Sequence, residues 1–196
     1  MLNPQLIAGR SLDAKLTDRG WDEAFSKGEE LARRGVLPDY VVSSPAVRCI
    51  QTGRQILASM GLQLTISTVD DLVEMDQGAS VGRDRTEVYN EVVHQQIVAL
   101  GKDFALPGGE SMNQVGKRGL DWLRSQETLT SIKKNLSIFA IAHGGLITHT
   151  VGAIEKWDHA QSYAMLRSMP PLGETLIVFD SIGWHVETFA APLQAH

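Results

Sequence analysis

A short apolar run that ends in a histidine and two glycines constrains the fold of this chain most. Residues 138–142 are bounded by turn residues, which is typical of a fully buried strand. Gly144 and Gly145 end the run, and the apolar spacing over residues 146–153 predicts a helix. Open α/β sheets bind ligands between the end of a buried strand and the next helix. His143 is therefore a candidate binding residue, although a lone turn histidine more often only bonds a backbone carbonyl.

A second strand, loop and helix of the same layout lies nearly a hundred residues earlier. Residues 40–42 predict a short strand that runs into Ser43-Ser44-Pro45, and residues 46–60 predict a helix. Arg48 falls in the first turn of this helix, where the backbone N–H groups and the helix dipole favour an anion. Alone, Arg48 is more simply interpreted as an exposed helix arginine. Together with His143 at a matching sheet end, it predicts an anion pocket.

The rest of the chain continues this alternation of helices and strands. Further helices are predicted over residues 17–34, 86–100, 112–123 and 159–167, and further strands over 62–69, 175–180 and 184–189, the last two as a hairpin. The alternation favours one α/β domain over residues 1–196, with a mostly parallel sheet between two helical layers. The first sixteen residues are irregular, so no strand precedes the first helix, which is an unusual start for such a domain.

Composition and charge exclude several classes of function. The chain has 196 residues and a formal net charge of −5 with no basic run, which argues against a nucleic-acid partner. Cys49 is the only cysteine, so neither a disulfide framework nor a cysteine-based metal site is expected. No apolar run is long enough to span a membrane, and the N-terminus lacks the pattern of a signal peptide. We expect a cytoplasmic protein that uses no metal ion or other cofactor.

A third candidate residue lies in a stretch of weak periodicity, residues 70–84. Glu74 follows a hydrophobic pair in this stretch. A carboxyl group near an anion pocket would have its pKa raised by like charge and could serve as a general acid. Taken alone, Glu74 is one of many loop acids.

Five segments, taken in order, resemble the motifs of the histidine phosphatase superfamily, in its phosphoglycerate-mutase-like branch. They are residues 3–17 with Gly9-Arg10 and Leu16-Thr17, residues 43–52, Glu74 with Gly78 and Gly82, Pro107-Gly108-Gly109-Glu110-Ser111 with Arg118, and Ala142-His143-Gly144-Gly145. Their order and spacing agree over essentially the whole chain. One such motif would have little weight, but five in the family's order are specific.

The resemblance implies phosphoryl transfer through a phosphohistidine. In that reaction a histidine attacks phosphorus in line, two arginines and a second histidine hold the equatorial oxygens, and a carboxylic acid protonates the leaving oxygen. By resemblance, Arg48 and His143 are the phosphate holders, Gly144 also binds the phosphate, and Glu74 is the acid.

The resemblance also implies the kind of substrate. Asn3 and Arg10 match positions near the bound phosphoester, which is expected to be a small phosphorylated metabolite. The absence of long insertions suits the phosphatase members better than the mutases. Residues 76–105 vary in this family and are expected to line the pocket, but their sequence does not reveal the substrate.

The sequence departs from the family pattern ahead of Asn3. The first motif of the family is a strand ending in Arg-His-Gly, about eight residues before that asparagine, and here the sequence begins at Met1. The expected fold therefore lacks its first strand and the nucleophilic histidine, and none of the other histidines is a persuasive substitute.

Two interpretations of this departure stay open. One is a histidine phosphatase with a shortened N-terminus. The other is a non-catalytic family member that binds a phosphoester or a protein. The sheet edges that a missing strand would expose favour self-association into a homo-oligomer.

Overall fold

Three parallel strands form the centre of the structure, a computed structural model that describes residues 5–130, 133 and 135–191. The strands are β1 (Tyr40–Ser43), β2 (Ile66–Thr68) and β3 (Ile138–Ile141), in the order β2-β1-β3. β1 pairs with both neighbours in parallel. A separate antiparallel hairpin consists of β4 (Glu174–Asp180) and β5 (Gly183–Ala191).

Helices pack on both faces of the parallel sheet. The helices of the described residues are α1 (Asp18–Arg33), α2 (Val47–Ser59), α3 (Arg85–Val88), α4 (Glu91–Leu100), α5 (Met112–Ser125), α6 (Glu127–Thr130), α7 (Gly144–Ile154) and α8 (His159–Ser168). Of these, α2 packs on one face of the sheet and α5 and α7 pack on the other. Short 3-10 turns lie at Asp70–Leu72, Gly78–Ser80 and Gly101–Asp103.

The alternation of side chains along the strands creates the two helical layers. Val41 of β1 and Ile141 of β3 pack with Cys49 and Leu57 of α2. Val42, the next residue of β1, points to the other face, where it packs with Val115 of α5 and Leu146 of α7. The mixed α/β fold with a parallel sheet between two helical layers is thus confirmed.

Local signals explain most of the element boundaries. The Thr17 hydroxyl accepts from the Gly20 N–H at 3.0 Å, and Ser111 forms a capping box with Gln114 at the start of α5. The prediction for residues 86–100 was wrong in one respect, because Asn90 caps a new helix there and separates α3 from α4. The strand predicted over residues 62–69 is shorter and comprises only β2.

The irregular opening segment lies against the loop that precedes α3. Ile7 donates from its N–H to the Arg83 carbonyl at 3.0 Å and accepts from the Gly82 N–H at 2.8 Å. Its side chain is buried with Val88 and Leu106. The segment therefore has its own small core although it contains no regular element.

Charged side chains attach the hairpin to α1. Within the described residues, β3 and β4 belong to separate sheets. Glu174 of β4 accepts hydrogen bonds from Arg34 at 2.6 and 2.8 Å and from the Lys27 ammonium at 3.1 Å. Lys27 also bonds the Glu30 carboxylate at 3.1 Å, and both of these α1 side chains are buried. The hairpin is thus held to α1 by a cluster of charges.

Gly28 sets the close approach of α1 and α2. A Cβ atom at this position would lie 2.5 Å from the Ile56 carbonyl oxygen and 1.8 Å from the Ser59 hydroxyl. We expect Gly28→Ala to lower the free energy of unfolding by roughly 1–3 kcal/mol, because the backbone of α2 would have to move. Urea denaturation measures this change. Gly20→Ala, on the same helix and 3.2 Å from a flexible leucine side chain, is the matched control and should be neutral or stabilising.

Candidate functional site

The pairing of β1 with β3 brings Ser44 and His143 together. Ser43 lies opposite Ile141 in the parallel register, and the Ser44 N–H donates to the Ile141 carbonyl at 2.9 Å. The residues that follow β1 and β3 therefore meet at the same edge of the sheet. His143 precedes α7, and its Nε2 lies 2.8 Å from the Ser44 hydroxyl oxygen. Both side chains are buried.

The structure brings Arg48 to the same histidine, as the matching sheet ends predict. The Arg48 guanidinium donates to His143 Nδ1 at 3.0 Å and to the Ser11 carbonyl at 2.5 Å. The N–H of Val47 donates to the Leu12 carbonyl at 2.8 Å. The opening segment thus lies across the start of α2, and its carbonyl oxygens occupy donors that the sequence assigned to an anion.

His143 is a neutral side chain in this environment. Burial lowers the pKa of His143 to about 3, and the positive charges of Arg48 and Arg118 act in the same direction. A neutral imidazole has one N–H donor and one acceptor nitrogen. At neutral pH the ring can therefore donate a hydrogen bond to an anion but adds no charge to the site.

Cys49 contacts the same imidazole, which sequence reasoning did not foresee. Its Sγ lies 3.6 Å from Nε2 and 3.8 Å from Nδ1 of His143, so the sulfur packs against the ring. Burial raises the pKa of Cys49 to about 11, which keeps the group a thiol. The only available signal was its position, one residue after Arg48 at the start of a predicted helix.

The Glu74 carboxylate occupies the N-terminus of α7. It accepts hydrogen bonds from the N–H groups of Met75 at 2.7 Å, Leu146 at 3.1 Å and Gly145 at 3.2 Å. A helix N-terminus is a favourable place for an anion because its N–H groups and its dipole point at the ligand. Here the occupant is a side chain of the protein.

Two effects of opposite sign act on the pKa of Glu74. Burial raises the pKa, and the three backbone hydrogen bonds and the charge of Arg48 reduce that rise without cancelling it. The direction agrees with the sequence-based expectation, but its first cause is burial, whereas the expectation named like charge. A buried carboxyl group with a raised pKa is suited to hold and release a proton.

A pair of charged residues fixes the backbone around Glu74. Arg118 of α5 binds both carboxylate oxygens of Glu110, at 3.0 and 2.9 Å, and donates to the Val73 carbonyl at 2.9 Å. Burial raises the pKa of Glu110, but the hydrogen bonds from Arg118 and Asp76 outweigh it and hold this pKa below its usual range. Glu110 therefore acts as an anion that anchors the loop.

Arg10 also contacts Glu110 and the backbone of Glu74. Its guanidinium donates to the Glu74 carbonyl at 3.0 Å and forms ion pairs with Glu110 at 2.9 Å and Asp76 at 3.4 Å. The structure thus places Arg10 beside the backbone of the candidate acid. Its predicted proximity to a phosphoester stays a prediction.

Of the remaining predicted site residues, Asn3 lies outside the described residues and Gly144 lies next to His143. Gly144 is the first residue of α7, and a Cβ atom there would meet the Met169 side chain at 3.3 Å. From the predicted lining segment, Asp76 contacts Arg10, and the Tyr89 hydroxyl lies 3.1 Å from the Gln77 amide oxygen.

The described ranges contain neither a metal-binding cluster nor a membrane-spanning helix. No group of three or more histidine, cysteine, aspartate or glutamate side chains in them is arranged to hold a metal ion. None of the described helices is long and apolar enough to cross a membrane.

Comparisons with known proteins identify the relatives of this chain. The model of the histidine phosphatase superfamily, branch 1, matches residues 2–192. A 2,3-bisphosphoglycerate-dependent phosphoglycerate mutase of Rhizobium etli is 31% identical over 148 residues, which are 74% of this chain and 70% of the relative. Its counterpart in Parvibaculum lavamentivorans is 25% identical over 156 residues, which are 78% of this chain and 74% of the relative.

Solved structures with the same fold include phosphatases. A mycobacterial glucosyl-3-phosphoglycerate phosphatase in complex with VO3 superposes with a TM-score of 0.78 at 22% identity, over 96% of this chain and 92% of that chain. A phosphoserine phosphatase of Entamoeba histolytica in complex with 3-phosphoglyceric acid superposes with a TM-score of 0.77 at 17% identity, over 96% and 89%. At these identities the likeness shows the fold.

The buried histidines predict an acid-sensitive fold. Burial lowers the pKa of His143 to about 3 and that of His149 to about 4, whereas both rings return to a pKa near 6.5 on unfolding. Below about pH 6.5 the unfolded state binds more protons than the folded state, so these histidines make the free energy of unfolding decrease as the pH is lowered. Each histidine contributes up to about 1.4 kcal/mol per pH unit down to its folded pKa. Urea denaturation between about pH 7 and pH 4.5 measures this slope.

Single substitutions show how much each histidine contributes to the slope of the free energy of unfolding against pH. We expect His143→Gln to lower the slope by up to about 1.4 kcal/mol per pH unit, because one protonation site disappears while the other titrating groups, Glu74 included, are the same in both proteins. His94→Gln, at an exposed position of α4, should leave the slope unchanged. A slope that is the same in His143→Gln as in the wild type would contradict the neutral state of His143.

Proposed function

The chain belongs to the histidine phosphatase superfamily, branch 1, and we propose that it hydrolyses phosphomonoesters through a phosphohistidine when an N-terminal Arg-His-Gly segment is present. The observation that best supports this function is the contact of Arg48 with His143 at the ends of two parallel strands. A guanidinium and a neutral imidazole together supply hydrogen-bond donors of the kind that stabilise a transferring phosphoryl group.

Arg48 and His143 would hold the equatorial oxygens of the phosphoryl group. The Arg48 guanidinium carries five N–H donors, and the described contacts use two of its nitrogens. His143 would add its single N–H, which a phosphate oxygen would share with the Ser44 hydroxyl oxygen. Because both groups are fixed before the ligand arrives, little reorganisation is needed when charge develops on the oxygens.

Glu74 would supply the proton for the leaving oxygen. As the bond from phosphorus to the leaving oxygen breaks, the protonated carboxyl group transfers its proton to that oxygen and becomes a carboxylate. The N–H groups of Gly145 and Leu146 stabilise the carboxylate that is formed. In the second half of the reaction, the carboxylate takes a proton from the water that attacks the phosphohistidine.

The attacking histidine comes from a segment that resembles the first motif of the family. His143 has both ring nitrogens engaged, by Ser44 and Arg48, so its ring is not free to attack phosphorus. In this proposal the nucleophile is the histidine of an Arg-His-Gly segment ahead of Asn3, which the 196-residue sequence does not contain.

The substrate proposed is a small phosphorylated metabolite. The curated relatives are named as phosphoglycerate mutases, and the structural neighbours include phosphatases named for glucosyl-3-phosphoglycerate and phosphoserine. These names support a phosphorylated small molecule as the class. A single domain over residues 1–196, a cytoplasmic location and self-association stay predictions.

The nucleophile can be tested by adding the missing segment. We expect the 196-residue chain to show little or no turnover of p-nitrophenyl phosphate, and a protein extended by a strand ending in Arg-His-Gly to gain turnover. The extended protein should form an acid-labile phosphoenzyme, because the new histidine accepts the phosphoryl group. In it, Arg48→Ala and His143→Ala should each lower kcat/KM about 100-fold or more.

Controls separate the possible outcomes of this experiment. An extension whose histidine is replaced by alanine should remain inactive. Ordinary turnover by the 196-residue chain, retained in His143→Ala, would contradict the proposal. An extended protein that binds phosphate without turnover would favour a non-catalytic phosphoester-binding function.

The acid can be tested with substrates that differ in their leaving groups. In the extended protein, Glu74→Gln should lower kcat for phosphoserine about 100-fold or more, because an alkoxide leaves poorly without a proton. The same change should affect p-nitrophenyl phosphate much less, since nitrophenolate leaves without protonation. Glu87→Gln, at an exposed position of α3, is the control and should change neither rate. Equal losses on both substrates would assign Glu74 a structural role only.

A further inference from the structure

The His143 imidazole is held on three sides. Arg48 lies 3.0 Å from Nδ1, the Ser44 hydroxyl lies 2.8 Å from Nε2, and the Cys49 sulfur packs against the ring. Ser44 has no exposed surface, and His143 is 7% exposed. Within this environment each ring nitrogen has one strong polar partner.

The identity of these partners decides where the ring hydrogen lies. A guanidinium can only donate, so the Nδ1 atom that faces Arg48 must be the acceptor. A neutral imidazole with a bare Nδ1 carries its hydrogen on Nε2. The Nε2–H group then donates to the Ser44 oxygen, because a hydroxyl can accept as well as donate.

The charges around the ring favour this neutral form. Arg48 of α2 faces the ring directly, and the charge of Arg118 on α5 acts on it from the other helical layer. A second ring proton would sit on Nδ1 against the guanidinium. Cys49 is a thiol and adds no charge.

From this arrangement we infer that Ser44 is a positioning residue, which accepts the Nε2–H hydrogen bond of His143 and so fixes the orientation and the tautomer of the ring jointly with Arg48. The inference rests on the proposed function for its purpose, because a phosphate oxygen that reaches Nε2 would share with the Ser44 oxygen a hydrogen that is already in place. Ser44 itself need not contact the phosphate. Its oxygen also accepts from the Ala46 N–H at 3.3 Å, which fixes the hydroxyl at the start of α2.

Nitrogen-15 NMR of the histidine rings tests the inference directly. At neutral pH we expect the wild type to show a pyridine-type Nδ1 and a protonated, pyrrole-type Nε2 for His143, with the Nε2 proton protected from exchange with water. The His143→Gln variant assigns the signals by their loss. A hydrogen on Nδ1, or on both nitrogens, would overturn the inference without any variant.

Ser44→Ala removes the acceptor and leaves Arg48 in place. We expect the protected Nε2 proton of His143 to be lost to rapid exchange, because it no longer has a partner. Ser43→Ala is the matched control, since Ser43 is adjacent, equally buried and donates to the Ser44 carbonyl at 2.8 Å. In Ser43→Ala the Nε2 proton of His143 should remain protected. A protected proton in a folded Ser44→Ala protein, checked by thermal unfolding, would overturn the role of Ser44.

Vanadate binding separates this inference from the proposed function. The Kd for vanadate should rise about tenfold in Ser44→Ala and stay within about twofold in Ser43→Ala. Unchanged affinity in Ser44→Ala would show that the ring orientation does not serve the ligand and would overturn the positioning role. If neither the 196-residue chain nor the protein extended by an Arg-His-Gly segment binds vanadate while the NMR signals are as expected, the proposed function fails and the role of Ser44 in fixing the ring stands.

Discussion

The parallel hydrogen bonds between β1 and β3 are the interaction on which the candidate site depends. They place Ser43 opposite Ile141, and continuation by one residue brings Ser44 next to the turn that carries His143. Since side chains alternate along a strand, a shift of one residue would direct these groups to opposite faces of the sheet. The packing of Val41 and Ile141 against α2 holds this register, so the apolar core determines the geometry of the polar site.

Opposing effects on Glu74 give the site its chemical character. Burial favours the neutral acid, whereas the N-terminus of α7 favours the carboxylate. Burial is the larger influence, so the pKa of Glu74 stays raised. The surrounding anchor of Glu110 and Arg118 keeps the backbone of this acid in place, so its protonation can change while its position does not.

Much of the fold follows from local patterns, and much of the site does not. Strand and helix units were predictable because apolar periodicity and caps such as Thr17 are local signals. The break at Asn90 was also signalled locally, by a residue type that caps helices, but the continuous apolar spacing concealed it. By contrast, the contact of Glu74 with the N-terminus of α7 joins distant segments, and no local pattern indicates it. The same holds for Cys49, which could be recognised as a buried residue but not as a neighbour of His143.

The cluster of charges between α1 and the hairpin determines how the hairpin is aligned along α1 more than how strongly it is held there. Apolar surfaces tolerate sliding, because one methyl group can replace another at similar cost. A buried ammonium tolerates sliding less, because it must keep its carboxylate partners. If β4 slid by one residue, Glu174 would face away from Lys27, which has almost no access to water. Lys27 would then keep Glu30 but lose Glu174, so these charges favour one alignment of the hairpin.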